Sequence, residues 1–436
     1  MTGAWVGQDA GWSRTQRVLF RFAVLYVGWY SLAGGGAQLV LWMLPYVSRP
    51  IYWLLGTPQN AAAMWAGTHV FHLSGEETAW HRTGSGDTAL AWLNSLSLLV
   101  VSLAGAAVWS VISEVRGGRR EYRTLYAWLL LLVRFTLAST LLSYGFSKVF
   151  DLQFSPPPPE RLAETFGSAS PMGLLWTFMG ASVPYTVFSG LAEVAPGLLL
   201  LFRRTSTVGA LASSAVMLNV VLLNFCYDVP VKLYSSHLLL LSLFLLLPDM
   251  APMWRFFIGR SAAALQGMWL PRAERRALRI AAICFQVLTI GHLLYVSAAG
   301  NWEIWRAAQS PLMGNWAIDS AEGSIARMEW KTVAISNPYF LRYTTPRESG
   351  WLSVNVLARQ QVVEILSPPK PDGSQGPPDG ELHWSGTSSG TISGRLTLAG
   401  QWHGQTTSVT MHQVAAEKSP LESRGFHWVQ EYPYNR

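Results

Sequence analysis

The sequence predicts a mainly α, polytopic membrane helix bundle of about seven transmembrane helices. An extracytoplasmic antiparallel β domain follows it, a barrel or a sandwich. Three observations predict this. Half of the 436 residues are hydrophobic and only 13% are charged, where a soluble domain carries roughly a quarter. Apolar runs long enough to span a bilayer, which takes about 20 residues each, recur between residues 18 and 298. From about residue 300 the pattern changes to short alternating runs bounded by Gly, Pro and Ser, the period of half-buried strands.

Taken in order, the first apolar stretch covers about 18–44 and contains the soft spot Gly34-Gly35-Gly36. It follows Arg14, Arg17 and Arg21, runs past signal-peptide length and meets no small-residue cleavage site, so it reads as a retained helix. Further spans are expected at about 88–113, 124–149, 173–202 (kinked near Pro184), 206–227, 231–248 and 277–298. Residues 50–72 are apolar but interrupted, and read as a helix lying on the outer surface. Pro156 to Pro159 open the segment Ser155–Ser170, in which a short amphipathic helix with Leu162 and Phe166 on one face is expected to cap the outer mouth of the bundle. In the tail, Trp351 to Leu357, Arg395 to Leu398 and Ser408 to Met411 read as strands, and Gly314-Asn315-Trp316 resembles the Gly-x-Trp start of lipocalin-like barrels. The expected divisions are 1–122, two N-terminal helices with the surface segment; 123–250, a four-helix unit; 251–298, an amphipathic linker and the seventh helix; and 299–436, the β domain.

Positive charge orients the bundle. Arg14, Arg17 and Arg21, then Arg116, Arg119, Arg120 and Arg123, then Arg203 and Arg204, then Arg255, Arg260, Arg272, Arg275, Arg276 and Arg279 fall in alternate connections. The intervening ones carry Glu76, Glu77, Asp87, Asp151, Glu160, Glu164 and Asp228. The N-terminus is therefore expected in the cytoplasm and the β domain outside it, in the periplasm or extracellular space. Helical spans point to the bacterial inner membrane. The net charge of +7 does not indicate nucleic acid, because the arginines sit in short runs beside apolar segments rather than on one patch. The 21 Trp suit membrane–water interfaces. Cys226 and Cys284 share no metal or redox spacing and read as free buried thiols.

Charge inside the bilayer marks candidate sites. Arg134 lies 11 residues beyond Arg123, and Glu193 lies 10 residues before Arg203. At 1.5 Å per residue both fall at similar depth, so a buried Arg134–Glu193 ion pair is expected, fixing helix register or handling a proton or substrate. A candidate outer polar pocket gathers Tyr144, Lys148, Asp151, Asn224, Tyr227, Asp228, Lys232 and His237. Asn224 and Asp228 are four apart, hence on one helix face. Such groups either snorkel to the interface or bind a polar headgroup and relay protons. His69-x-x-His72 would place two rings on one face, a weak metal candidate without a third ligand. Gln38 and His292 are lone polar groups of the kind that bond a neighbouring backbone.

Arg134, followed by Gly145-Phe146-Ser147-Lys148, resembles the first helix of DoxX-like membrane proteins, and Gly190-Leu191-Ala192-Glu193-Val194-Ala195-Pro196-Gly197 resembles their second. Ser170 to Trp176, Leu223 to Lys232 and Phe426 to Pro433 resemble a long bacterial subgroup of that family. The resemblance implies a redox association, since one archaeal DoxX-type protein is the membrane subunit of a thiosulfate:quinone oxidoreductase. The extra helices and the β domain depart from the short family form. The bundle-plus-β layout also distantly resembles the vitamin K-dependent carboxylase group, with no motif that carries its catalytic lysine onto Lys148 or Lys232. The expected function is a quinone-interacting subunit of a membrane redox system. Asn224, Asp228, Lys232 and His237 would supply the polar end, and Tyr144, Phe146, Trp176, Tyr185 and Phe188 the slot. A bound quinone or lipid is the expected ligand, no haem, flavin or iron–sulfur motif being present. The alternative is a non-enzymatic membrane-anchored binding or assembly protein whose β domain holds a partner or lipid. A carrier ranks last, without an inverted repeat. Partners are the bilayer and a membrane or periplasmic complex.

Overall fold

The computed structural model describes residues 12–34, 45–78, 85–117, 121–157, 159–162, 164–259, 276–357, 359–367, 378–387, 394–414 and 421. Gln38, Gly35, Gly36, Arg119, Arg120, Pro158, Arg260, Arg272, Arg275 and the segment Phe426 to Pro433 lie outside the described residues. The chain divides into two compact units, 1–149 with 187–301, and 150–186 with 302–436.

The helices are α1 (Arg14–Trp29), α2 (Pro45–His69), α3 (Ala89–Val115), α4 (Arg123–Val149), α5 (Pro171–Gly180), α6 (Val183–Leu201), α7 (Ser206–Cys226), α8 (Lys232–Leu246), α9 (Met250–Phe257) and α10 (Arg276–Ala308). Local chemistry sets several starts. Ser13 opens α1 with a capping box, its Oγ accepting from Gln16 N at 3.2 Å while Gln16 Oε1 accepts from Ser13 N at 2.7 Å. Thr88 opens α3 by accepting from Ala91 N at 3.2 Å, and Ser170 opens α5 by accepting from Gly173 N at 3.0 Å.

Among the described residues, six helices are long and apolar enough to cross a membrane: Ala89–Val115, Arg123–Val149, Val183–Leu201, Ser206–Cys226, Lys232–Phe257 and Ile283–Ala308. The first expected span is described only as α1, which widens into a π turn at Tyr30–Gly34. The span expected at 173–202 is two helices. Pro184 sits in the first turn of α6, where its missing N–H costs nothing, so it begins a helix instead of kinking one. The expected helix through Leu162 and Phe166 stops after one turn at Pro159–Leu162; Ser168 N and Ala169 N turn back to Thr165 O, and Phe166 stands 88% exposed.

The core of the first unit is built on α4. Val133, Leu137, Ala138 and Leu142 are fully buried there, packed with Leu200, Met217 and Leu241. By contrast, α3 turns Val108, Val111 and Val115 outward, as lipid-facing helices do. Cys226 and Cys284 are free but exposed, not buried, because each sits on an outward face of its helix.

The second unit contains a closed antiparallel barrel of eight strands in sequence order: β1 (Gly314–Glu322), β2 (Thr332–Asn337), β3 (Phe340–Thr344), β4 (Ser349–Leu357), β5 (Val362–Leu366), β6 (Pro378–Thr387), β7 (Arg395–Trp402) and β8 (Gln405–Gln413). Pairing of β1 with β8 closes it. Alternation explains the sidedness: Thr407, Val409 and Met411 of β8 point in, and so do Leu396 and Leu398 of β7. His403 (φ 52°) and Gly404 (φ 68°) make the two-residue β7–β8 turn, a connection that demands positive φ at both positions. An eight-stranded barrel has an interior just wide enough for side chains to fill, and here Trp316, Ile335, Val354, Trp402 and Met411 fill it. Trp316 is core, donating Nε1–H to Leu312 O at 2.9 Å.

Candidate functional site

The first unit contains a chain of polar groups inside the bundle. At one end Lys148 Nζ donates to both carboxylate oxygens of Glu193, at 2.9 and 2.8 Å, with side chains 8% and 5% exposed. The crossing that permits this is made by glycine. A methyl group at Gly145 would lie 2.7 Å from Val194 Cγ2 and 2.9 Å from Gly190 O, and one at Gly190 would lie 2.6 Å from Gly145 O. Bare backbone lets α4 and α6 approach this closely.

The expected Arg134–Glu193 pair is therefore corrected to Lys148–Glu193. Arg134 and Lys148 are 14 residues apart on α4, about 21 Å along the axis, so one carboxylate cannot serve both. The depth argument failed because it took Arg123 and Arg203 as level helix ends. Arg134 is buried with its guanidinium 5.1 Å over the Phe135 ring.

From the ion pair the polar path continues through phenols. Lys148 Nζ lies 5.9 Å from the Tyr144 ring, and Tyr144 stands 6.2 Å from Tyr234, whose hydroxyl is 3.4 Å from Thr140 Oγ1. Tyr234 and Tyr30 share the wall of a cleft of about 240 Å³ together with Gln59, Asn60, Asn94 and Ser95. Tyr30 stacks on buried His237 at 4.2 Å and 10°. His237 Nδ1 is 2.8 Å from Leu233 O. A carbonyl only accepts, so Nδ1 carries the proton and Nε2 accepts from Tyr26 Oη, at 2.8 Å. In the cleft wall Asn94 Nδ2 donates to Leu90 O at 3.0 Å, while its Oδ1 is buried and accepts no hydrogen bond among the described residues.

The remaining expected residues disperse. Asn224 turns inward, donating to Ser235 Oγ at 2.9 Å. Asp228 turns outward, its side chain 82% exposed against Lys232 at 2.7 Å. The shared helical face fails because α7 ends at Cys226 in a Schellman-type cap: Val229 N donates to Asn224 O at 2.9 Å, Asp228 takes φ 50°, and Pro230 follows. Tyr227 is the half-buried cap residue of α7. Tyr144 stays beside Lys148 and Tyr234 but is 44% exposed. Asp151 belongs to the second unit, where burial pushes its carboxyl up to about 6. Trp176 and Tyr185 belong to the second unit, and Phe188 is 66% exposed. α2 ends at His69, bonded within its own turn to Trp65 O and Thr68 Oγ1. His72 lies beyond the helix at φ 55°, so the two rings do not share a helical face. Among the described residues no group of three metal-ligating side chains is present.

Among the contributors that escaped the sequence reading are Asp87, Asn94, Tyr26, Tyr30 and Tyr234. Asp87 accepts from Lys232 N at 2.8 Å and Leu233 N at 3.0 Å, satisfying orphan amides at the start of α8 from 145 residues away. Its carboxylate also faces the Lys232 ammonium at 3.9 Å. Only its position just before an apolar run hinted at a cap, and that hint pointed to α3.

Over 116 residues the chain is 35% identical to an uncharacterized protein, YwoB, of Bacillus subtilis (strain 168). This chain belongs to the family of YwoB. The matched stretch covers 27% of the chain and 73% of YwoB. No family model matches the chain, and no solved structure matches it.

Proposed function

We propose that this chain is a multi-pass membrane protein that binds a quinone-type ligand beside His237, as a subunit of a membrane redox system. One observation carries the reading: a buried acceptor, Asn94 Oδ1, without a donor among the described residues, in the wall of a cleft that also presents the phenols of Tyr30 and Tyr234. A buried acceptor left unmade costs about 1–3 kcal/mol. A quinol hydroxyl would donate to it, and a phenol would donate to the carbonyl of the oxidised ring. His237, hydrogen-bonded to Tyr26 and stacked on Tyr30, gives that ring a neighbouring group able to take up a proton. Membership of the DoxX-like family fits this reading, as do an inner-membrane location, a cytoplasmic N-terminus and an extracytoplasmic barrel.

The test is to purify the chain in mild detergent, extract the bound lipids, and measure quinone by mass spectrometry and quinone reduction by absorbance. Quinone is expected in the wild type and in Asp228→Asn, which alters an exposed group, and is expected to be lost in Asn94→Leu and His237→Ala. Phospholipid alone in every sample refutes the reading.

A second reading, a membrane-anchored assembly protein, is favoured by one patch on the barrel. Phe340, Arg342 and Trp351 project from neighbouring positions of β3 and β4, with Trp351 60% and Phe340 47% exposed and the Arg342 guanidinium 5.4 Å over the Trp351 ring. Exposed aromatic–arginine groupings of this kind are enriched where proteins dock.

A further inference from the structure

A separate cleft lies between the end of α3 and the start of α4. Its volume is about 700 Å³, and its wall includes Trp109, Ser113, Arg116, Tyr122, Arg123 and Trp128. Behind the wall, Arg21 of α1 is 2% exposed. Its Nη2 donates to Ser113 Oγ at 2.8 Å and to Tyr122 Oη at 3.0 Å, and its Nε donates to Tyr122 Oη at 3.3 Å. The guanidinium also lies 5.9 Å from the Trp109 ring and 5.5 Å from the Tyr122 ring. All of these partners are neutral. A buried cation held only by neutral groups is costly unless an anion approaches. Arg21 Nη1 makes no hydrogen bond among the described residues.

The charge balance of the cleft points the same way. Glu121, in the lining, is matched by Arg123 at 2.8 Å. Glu114, one helical turn back, is matched by Arg14 at 2.7 Å. That leaves Arg21 and Arg116 without a carboxylate among the described residues. The apolar part of the lining is open: Ile112 is 46%, Leu125 38% and Trp128 56% exposed. Arg116 follows the last residue of one membrane-length helix and Arg123 is the first of the next, so the basic groups sit at the membrane surface. The apolar side chains run from there toward the hydrocarbon, with Trp109 and Trp128 at interfacial depth.

We propose that this cleft binds the phosphodiester headgroup of an anionic phospholipid, with Arg116 facing the phosphate, Arg21 adding its charge from behind Ser113 and Tyr122, and an acyl chain lying over Ile112, Leu125 and Trp128. Guanidinium groups suit phosphate oxygens because their paired donors match them in geometry and charge. Basic pockets between spanning helices are a recurrent form of lipid site.

The experiment uses the full chain in mild detergent, titrated with phosphatidylglycerol, phosphatidylcholine or inorganic phosphate and followed by native mass spectrometry. Phosphatidylglycerol is expected to bind at least about tenfold more tightly than phosphatidylcholine, since one charge-assisted hydrogen bond is worth roughly that factor. Arg116→Gln, an exposed change that leaves the fold intact, is expected to remove most of the preference. Arg327→Gln, a loss of the same charge in the barrel unit, is expected to leave it unchanged. Arg21→Lys keeps the buried charge but loses the fork, and is expected to weaken binding without unfolding the chain. Equal binding of the two lipids, or a preference that survives Arg116→Gln, overturns the proposal. Inorganic phosphate displacing the lipid at equal concentration assigns the cleft to a free phosphate and overturns the lipid.

Discussion

Removing the Glu193 carboxylate tests the arrangement at the centre of the bundle. Glu193 and Lys148 bury their charges to 5% and 8% exposure and share two hydrogen bonds. Breaking such a pair from one side leaves a buried charge unpaired, at a cost of about 3–5 kcal/mol, whereas replacing both partners by uncharged groups of similar volume is often neutral or stabilising. Glu193→Gln is therefore expected to destabilise the helical unit by about 3 kcal/mol or more, and Lys148→Met by a similar amount. The double variant should recover most of the loss. Arg134→Met, about 21 Å away along α4, should add to Glu193→Gln without coupling, because distant sites are additive to within about 0.5 kcal/mol. The assay is reversible unfolding in mixed detergent micelles, followed by circular dichroism across a complete double-variant cycle. Two results would refute the reasoning: single variants whose losses simply sum in the Lys148→Met, Glu193→Gln pair, or coupling that appears between Arg134 and Glu193 instead.

Three further expectations follow from particular contacts. Asp87→Ala should destabilise α8 by about 1 kcal/mol, as loss of a cap does, and hydrogen exchange should be fastest at Lys232 and Leu233, the two amides Asp87 accepts from. Asp151 holds its proton up to about pH 6, against an ordinary 3.8, because burial disfavours the carboxylate. Between those values the folded chain binds more protons than the unfolded one, so stability should fall as pH rises through that window and recover below it; a melting series that does not flatten in Asp151→Asn would contradict this. Trp316→Ala, which empties a fully buried site in the barrel, should cost about 3–5 kcal/mol, read by near-ultraviolet dichroism and urea unfolding.

The spans that rest on composition were legible: five of the expected apolar runs from 88 onward correspond to single membrane-length helices or their extensions, and the alternating tail segments are β4, β7 and β8. The barrel rather than a sandwich was visible only as the Gly314-Asn315-Trp316 start, since closure depends on β1 meeting β8, a pairing about 90 residues apart that no local period records. The polar site was legible by residue type more than by pairing. Lys148, Glu193, Asn224 and His237 are all buried as anomalous polar groups in apolar runs would be, but their partners depend on the Gly145–Gly190 approach and on the cap that ends α7. Neither follows from counting residues between charges. Asn94 and Tyr30 stood out least, because an amide or phenol within an apolar run is ordinary until the cleft beside it is seen.

The ring of eight strands has a bearing on how this domain meets other proteins. A sheet that closes on itself offers no unsatisfied row of backbone amides and carbonyls, so an extended peptide has nowhere to add as a ninth strand and a second copy cannot join edge to edge. Whatever the barrel recognises, it must read through side chains on its outer wall and its end loops. Its specificity is thus open to single-residue exchange without risk to the hydrogen-bonded frame beneath.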